Sequence, residues 1–289
     1  MASEYGKNVW WNGSFMDLQD AKVSIATHSL HYGGAIFEGV RIYNSKPFLL
    51  KEHIDRLFIS AEVMRYNMKY NKEEICEAAI KLIDLEGFKD GYIRPIIWLG
   101  DEDMKIMGQD STLHTAIMTC KILEKSDIND DSLKLSVSRW KRAPLNCLPY
   151  SSKAAGLYMM YSLIKREAQI DGFDDSIILD ENDNITEATT SNFFAISDKE
   201  LLTPKKDTIL SGITRSKVIE AASYLGIKCR EIDIRIDQLR NCDFAFLTGT
   251  AIEIKKIKEI KHVERGVTYQ FSNENEIFNL VRELYKKLI

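Results

Sequence analysis

Lys153 is the side chain of this 289-residue sequence best set for covalent chemistry. It is the only charged residue from Pro149 to Ser162, and Ser151, Ser152, Ala154, Ala155 and Gly156 crowd small groups around it. An amine among close-packed apolar neighbours has the setting that lowers a lysine pKa and makes it a nucleophile toward carbonyls. The same stretch also reads as a lysine that snorkels to solvent at an element end. Tyr158 follows five positions on, and Glu187 stands in the strand-like run Ile185 to Phe194. Arg56 is a candidate anion ligand, because a guanidinium fork matches phosphate geometry; it also reads as a surface arginine. Arg94 interrupts the apolar run Tyr92–Leu99, where an unpaired guanidinium is costly. It is therefore either paired in the core or turned toward a ligand acid. Two turns offer amides and hydroxyls suited to an anion. One is Gly212-Ile213-Thr214 at a predicted helix start, where Thr214 also serves as a plain N-cap; the other is Thr248-Gly249-Thr250-Ala251.

Local patterns indicate which elements position these groups. Val9–Trp11, the turn Asn12-Gly13 and Ser14–Met16 read as a hairpin. The segment from His28 to Tyr43 mixes glycines, aromatics and an arginine before an alternating strand; Tyr32 and Phe37 could wall a pocket or fill a core. Helical spacing predicts helices over 49–66, 73–86 (closed by Gly87), 157–168, 218–225 and 274–289. Strands are expected at 92–99, 115–123, 133–140, 176–180, from 185 onward, 228–234 and 244–251, with a short helix at 236–241. The polar, acidic stretch 125–132 is the best candidate for an interdomain linker. It separates an expected small N-terminal domain (1–124) from a larger C-terminal one (133–289).

Composition narrows the function classes. A net charge of −4 without a basic block argues against nucleic acid or anionic membrane as partner. The five cysteines are scattered, as suits a reducing compartment, and form neither a disulfide frame nor a zinc set. No apolar run approaches membrane-spanning length and the N-terminus shows no apolar leader, so a cytoplasmic protein is expected. The five histidines are dispersed. No HExxH motif, Gly-x-Ser-x-Gly elbow, Walker A loop or GxGxxG fingerprint is present, and no metal is expected.

One ligand would use all the singled-out groups. Pyridoxal 5'-phosphate needs a lysine for its aldehyde, an acid for its ring nitrogen, a donor for its ring hydroxyl and a phosphate cup. The sequence resembles the class IV (fold type IV) pyridoxal-phosphate aminotransferases, and within them the bacterial branched-chain amino acid enzymes. The likeness rests on HSLHYGGAIFEGVRIY from His28, HIDRL from His53, YIRP from Tyr92, RWKRAPLNCLPYSSKAAGLY from Arg139, ITEATTSNFF from Ile185, GITR from Gly212 and TGTAIE from Thr248. It runs from residue 9 to about residue 255 in the family's order. The fold it implies is α/β (α+β): a small N-terminal α/β domain, then a larger C-terminal domain with a barrel-like sheet, the cofactor lying between them in a homodimer.

By this resemblance Lys153 would hold the cofactor as an aldimine and, once freed, carry the proton between substrate Cα and cofactor. Tyr158 would bond the ring hydroxyl and Glu187 the pyridinium nitrogen. Arg56, the amides of Ile213 and Thr214, and the Thr250 hydroxyl would bind the phosphate. Tyr92 and the amides of Thr250 and Ala251 would receive the substrate α-carboxylate. Phe37 and Tyr158 would line the side-chain pocket with Tyr32 of the partner subunit, and Arg94 would take the distal carboxylate of glutamate. The implied reaction is ping-pong transamination of leucine, isoleucine or valine with 2-oxoglutarate. Three stretches depart from the family pattern: Thr119–Leu123, where pocket aromatics are usual, Ala188–Ser191, and Ile254–Lys256. The same fold hosts D-amino acid aminotransferases and aminodeoxychorismate lyase, and a non-catalytic cofactor- or phosphate-binding protein is the alternative of another class.

Overall fold

Alternation of apolar residues builds the first half of the chain into a sheet. The computed structural model describes residues 3–122 and 132–289, so residues 125–131 of the expected linker lie outside the described residues. Strands β1 (Ser3–Trp11) and β2 (Ser14–Asp17) form the expected hairpin, with Asn12 and Gly13 at positive φ in its turn. A five-residue helix that the sequence did not suggest, α1 (His28–Tyr32), comes next. Then follow β3 (Ile36–Phe37), β4 (Val40–Tyr43), β5 (Lys46–Pro47), α2 (Leu50–Val63), α3 (Lys72–Glu86), β6 (Gly91–Leu99) and β7 (Leu113–Ile122). Gly87 ends α3 in the left-handed conformation, as anticipated.

The sheet of this unit runs β2-β1-β7-β6-β4-β5, with β3 also on β6. One face is covered by α2 and α3: Ile54, Leu57, Ile75, Leu82 and Ile83 bury against Val40, Ile42, Ile93 and Ile97. Because side chains alternate along a strand, Tyr92, Arg94 and Ile96 project from the other face. Register sets Arg41 beside Tyr92, Phe37 beside Ile96, Cys120 beside Tyr92 and Met118 beside Arg94.

Two compact units are present: Met1–Ser126 with Ser151–Tyr158, and Asp127–Tyr150 with Met159–Ile289. The lysine segment, which follows the expected linker in the chain, therefore folds with the N-terminal unit. Its backbone is stitched there. Phe37 N donates to Lys153 O, Ala155 N to Ala35 O, Gly156 N to Gly33 O, and Lys153 N to Ser60 Oγ at 2.9 Å. The approach explains the small residues: a Cβ on Gly33 would stand 2.9 Å from Gly156 Cα, and Gly33 has φ +68°.

The second unit contains β8 (Leu133–Val137), α4 (Ala155–Ile170, which starts in the lysine segment), β9 (Asp175–Leu179), β10 (Ile185–Ala188), β11 (Asn192–Ser197) and β12 (Glu200–Thr203). It continues with α5 (Ile213–Tyr224), β13 (Cys229–Glu231), β14 (Phe244–Gly249), β15 (Glu253–His262), β16 (Val267–Gln270) and α6 (Glu276–Lys286). Pairing runs β10-β9-β8-β15-β14-β11 and returns from β11 to β10, which closes a six-stranded barrel. The expected barrel-like sheet is present. Its interior holds Leu135, Ile177, Phe193, Ala245, Leu247, Ile257 and Ile260, all fully buried. β12 and β13 extend the sheet from β11, and β16 pairs with β15.

Three local expectations change. The strand expected over 228–234 is confined to Cys229–Glu231. β15 was not anticipated: Ile257 and Ile260, both in the barrel core, are spaced by three because a register shift between Ile257 and Glu259 breaks the two-residue alternation. The N-cap of α5 is Gly212, which places Thr214 inside the first helical turn rather than at the cap.

Candidate active site

In the N-terminal unit the groups singled out for chemistry converge around Lys153. Its Nζ donates to the Tyr158 hydroxyl at 2.6 Å and lies 4.9 Å from the Phe37 ring centre and 4.8 Å from that of Tyr158. Phe37 and Tyr158 meet edge to face, 4.8 Å apart. Arg94 lies over Phe37 at 4.8 Å and over Tyr92 at 5.4 Å. No carboxylate of the described residues pairs with Arg94, and its buried Nε has no partner. The core-pair reading of this arginine is thereby set aside. The Tyr92 phenol lies against Gly39, just before β4, where a Cβ would stand 1.6 Å from its hydroxyl and displace it. Burial pushes the Tyr92 phenol pKa up, against the pull of Arg94.

Arg56 is held by an acid the sequence reading had not used. Glu38, fully buried, accepts from Arg56 Nε at 2.6 Å and Nη2 at 2.9 Å, and from His53 Nδ1 at 2.7 Å. Burial alone would raise the Glu38 pKa, but Arg56 beside it reverses that and holds it far below the usual carboxylate range. Burial lowers the His53 pKa more than Glu38 raises it. His53 is therefore a neutral donor that orients the acid, and the acid orients the arginine.

In the C-terminal unit the focus is Glu187, which is 4 % exposed. Its Oε1 accepts from the buried Arg142 Nη1 and from the Tyr161 hydroxyl (3.3 Å); its Oε2 accepts from Asn192 Nδ2 (3.2 Å) and the Leu210 amide (3.3 Å). Arg142 also stacks on Tyr150 at 3.8 Å. Burial opposes its charge, and Glu187 more than offsets that, keeping its pKa above the ordinary value. Among the described residues no side chain caps the N-terminus of α5, which leaves the first-turn amides, including those of Ile213 and Thr214, without a capping acceptor. Thr250 is half-buried in the turn after β14, and Ala251 beside it is exposed. A Cβ on Gly249 would meet Ser191 Oγ at 3.1 Å, and one on Gly212 would meet Asn192 Oδ1 at 1.9 Å. The helix start, the β10–β11 turn and the Thr250 turn thus gather at one end of the barrel.

The structure therefore groups Lys153, Tyr158, Phe37, Tyr92, Arg94 and Arg56 in one unit, and Glu187, Ile213, Thr214, Thr250 and Ala251 in the other. Tyr32 stays apart, 45 % exposed, its hydroxyl on Met104 O at 3.0 Å and its ring against His28. The sequence reading missed Glu38, Arg142 and Asn192. Only Asn192 left a signal: counted back through the hairpin turn, it pairs with Glu187.

Comparison with known proteins identifies the family. A family profile described as Amino-transferase class IV matches residues 35–260. A probable branched-chain-amino-acid aminotransferase of Rickettsia felis is 38% identical over 282 residues, covering 98% of this chain and 96% of the relative. The branched-chain-amino-acid aminotransferase of Escherichia coli K12 is 32% identical over 92% of this chain and 89% of its own. Among solved structures, a T.th. branched-chain amino acid aminotransferase complexed with N-(5'-phosphopyridoxyl)-L-glutamate superposes with a TM-score of 0.90 at 30% identity. That match covers 98% of this chain and 93% of that one. The profile spans most of the chain and the relatives nearly all of it, so this chain belongs to the class IV aminotransferases.

Proposed function

We propose that the protein is a pyridoxal 5'-phosphate-dependent branched-chain amino acid aminotransferase, moving the amino group of leucine, isoleucine or valine to 2-oxoglutarate. The observation that carries the substrate reading is Arg94, a half-buried guanidinium between the Phe37 and Tyr92 rings with no carboxylate partner among the described residues. Such a group accepts the second carboxylate of glutamate, while the rings around it accept an aliphatic side chain. The donors present fit the cofactor: an amine hydrogen-bonded to a phenol, an arginine fixed by a buried acid, an uncapped helix start and a buried carboxylate.

When bound, the cofactor supplies the electron sink that labilises the substrate Cα proton. The remaining roles belong to the chain. Lys153 would hold the cofactor aldehyde and, when released, would move the Cα proton; Tyr158, 2.6 Å from that amine, orients it and would bond the ring hydroxyl. Glu187 accepts from the ring nitrogen. Arg56, the Ile213 and Thr214 amides and Thr250 bind the phosphate. Tyr92, with the amides of Thr250 and Ala251, receives the substrate α-carboxylate, and Phe37 with Tyr158 lines the side-chain pocket. The departure at Thr119–Leu123 puts Cys120, rather than an aromatic residue, beside Tyr92.

The same reading includes two domains joined near 125–132, a cytoplasmic location and a homodimer in which Tyr32 of the partner subunit completes the pocket. An exposed apolar patch around Tyr32, made by Ile25, Leu30, Met104, Ile106 and Met107, is the kind of surface a second copy covers. Among the described residues no helix is long and apolar enough to cross a membrane.

The purified protein, loaded with cofactor, should be yellow, and borohydride should fix the label on Lys153. L-Leucine and L-glutamate should each shift its spectrum and D-alanine should not. Response to D-alanine alone, or to no amino acid, would sink the assignment.

A further inference from the structure

Asn192 carries an inference that rests on the cofactor reading above and deepens it. The β10–β11 pairing puts Asn192 directly opposite Glu187, so the two side chains leave the same face side by side. Asn192 is buried, 5 % exposed. Its Nδ2 donates to Glu187 Oε2 at 3.2 Å and to Leu210 O at 3.0 Å, while Leu210 N donates to the same Glu187 oxygen at 3.3 Å. Carboxylate, carboxamide and the backbone of residue 210 close a small ring, two positions before the N-cap of α5.

That N-cap is Gly212, with φ −69° and ψ 133°, a conformation open to any residue. Backbone geometry therefore does not call for glycine. Asn192 does: a Cβ at position 212 would stand 1.9 Å from its Oδ1 and 3.1 Å from its Cγ. The carboxamide is wedged between the acid and the helix start, and it cannot retreat without leaving one of them. Arg142 and Tyr161 hold the other oxygen of Glu187, so the Asn192 bond fixes the remaining one.

We propose that Asn192 is a positioning residue: one carboxamide sets Glu187, which meets the ring nitrogen, in register with Gly212–Thr214, which meets the phosphate. The two ends of the cofactor are then spaced by a single buried side chain, and Gly212 is glycine because that side chain occupies its Cβ volume.

The test is a double-variant cycle on the full chain, reading affinity for pyridoxamine 5'-phosphate by spectroscopic titration and the thermal midpoint of the cofactor-free protein. Asn192→Ala should weaken pyridoxamine 5'-phosphate about tenfold, the loss of one buried hydrogen bond to a charged group. Gly212→Ala should weaken it about tenfold or more, because the new methyl drives the carboxamide off its partners. In the Asn192→Ala background, Gly212→Ala should add less than about twofold, since the nearest remaining atom, Arg215 Cβ, stands 3.3 Å away and needs to give only slightly. Additive losses overturn the proposal, as does a harmless Gly212→Ala in the wild-type background. A lowered midpoint for Asn192→Ala with unchanged affinity also overturns it, because that is a purely structural role. If Gly212→Ala alone fails to fold, folding of the double variant supports the proposal and its failure to fold overturns it. Wild-type protein that does not bind pyridoxamine 5'-phosphate at all would remove the cofactor reading itself, whereas binding with additive losses removes only the role of Asn192.

Discussion

Arg56 and Arg94 lie in one unit, and their partners make them chemically different. Arg56 is held on two nitrogens by Glu38, so a buried acid fixes the orientation of its guanidinium. Arg94 has aromatic faces and, among the described residues, no acid, so on the proposed function a ligand carboxylate would answer its charge. Removing it should therefore be felt by the substrate that brings a second carboxylate. Arg94→Ala is expected to raise KM for glutamate about tenfold or more while changing that for leucine less than about threefold, in steady-state half-reaction assays. Equal losses for both would remove the dual-pocket role. Both arginines stood out in the sequence as guanidinium groups in unusual company. Their partners did not, because Glu38 in Phe37-Glu38-Gly39 looks like any strand-edge acid until His53 and Arg56 fold onto it.

At the scale of elements, local chemistry explains most boundaries. α3 begins with a capping box in which Asn71 accepts from the Glu74 amide and Glu74 accepts from the Asn71 amide. Asn71→Ala should cost ~1 kcal/mol in chemical denaturation, with no change in the slope of the transition. A loss well under that, or a changed slope, would mean that the box is not formed in solution. β6 was readable as an apolar run, and folding turns Ile93 and Ile97, packed with α2 and α3, to one face and Tyr92 and Arg94 to the other. β15 was not, since its lysines and its bulge hide the buried isoleucines. The start of α5 was seen, but its cap was assigned to a hydroxyl when Gly212 occupies it, and a Cβ there would meet Asn192 Oδ1 on β11, a neighbour no local pattern announces.

On the scale of the whole molecule, the barrel brings distant segments into single networks. Asp183, in the β9–β10 turn, accepts from Lys141 Nζ and Arg265 Nη2, each at 2.6 Å. These bonds, Lys141 first, lower its pKa from 3.8 to about 2. A depressed carboxylate stabilises the fold above its unfolded pKa and loses that contribution as pH falls through the folded one. The stability gap between wild type and Asp183→Asn should therefore stay level above about pH 5 and close as pH drops from about 4 toward 2. A gap that widens on acidification would contradict the pairing. Read alone, the sequence determined the family, most of the elements and the identity of the reactive groups, because these depend on residue type and on spacing within a few turns of chain. Tertiary structure decided which groups restrain one another: Glu38 on Arg56, Arg142 and Asn192 on Glu187, Ser60 beneath Lys153. Those restraints join residues far apart in sequence through burial and hydrogen-bond direction, and neither quantity exists until the chain has folded.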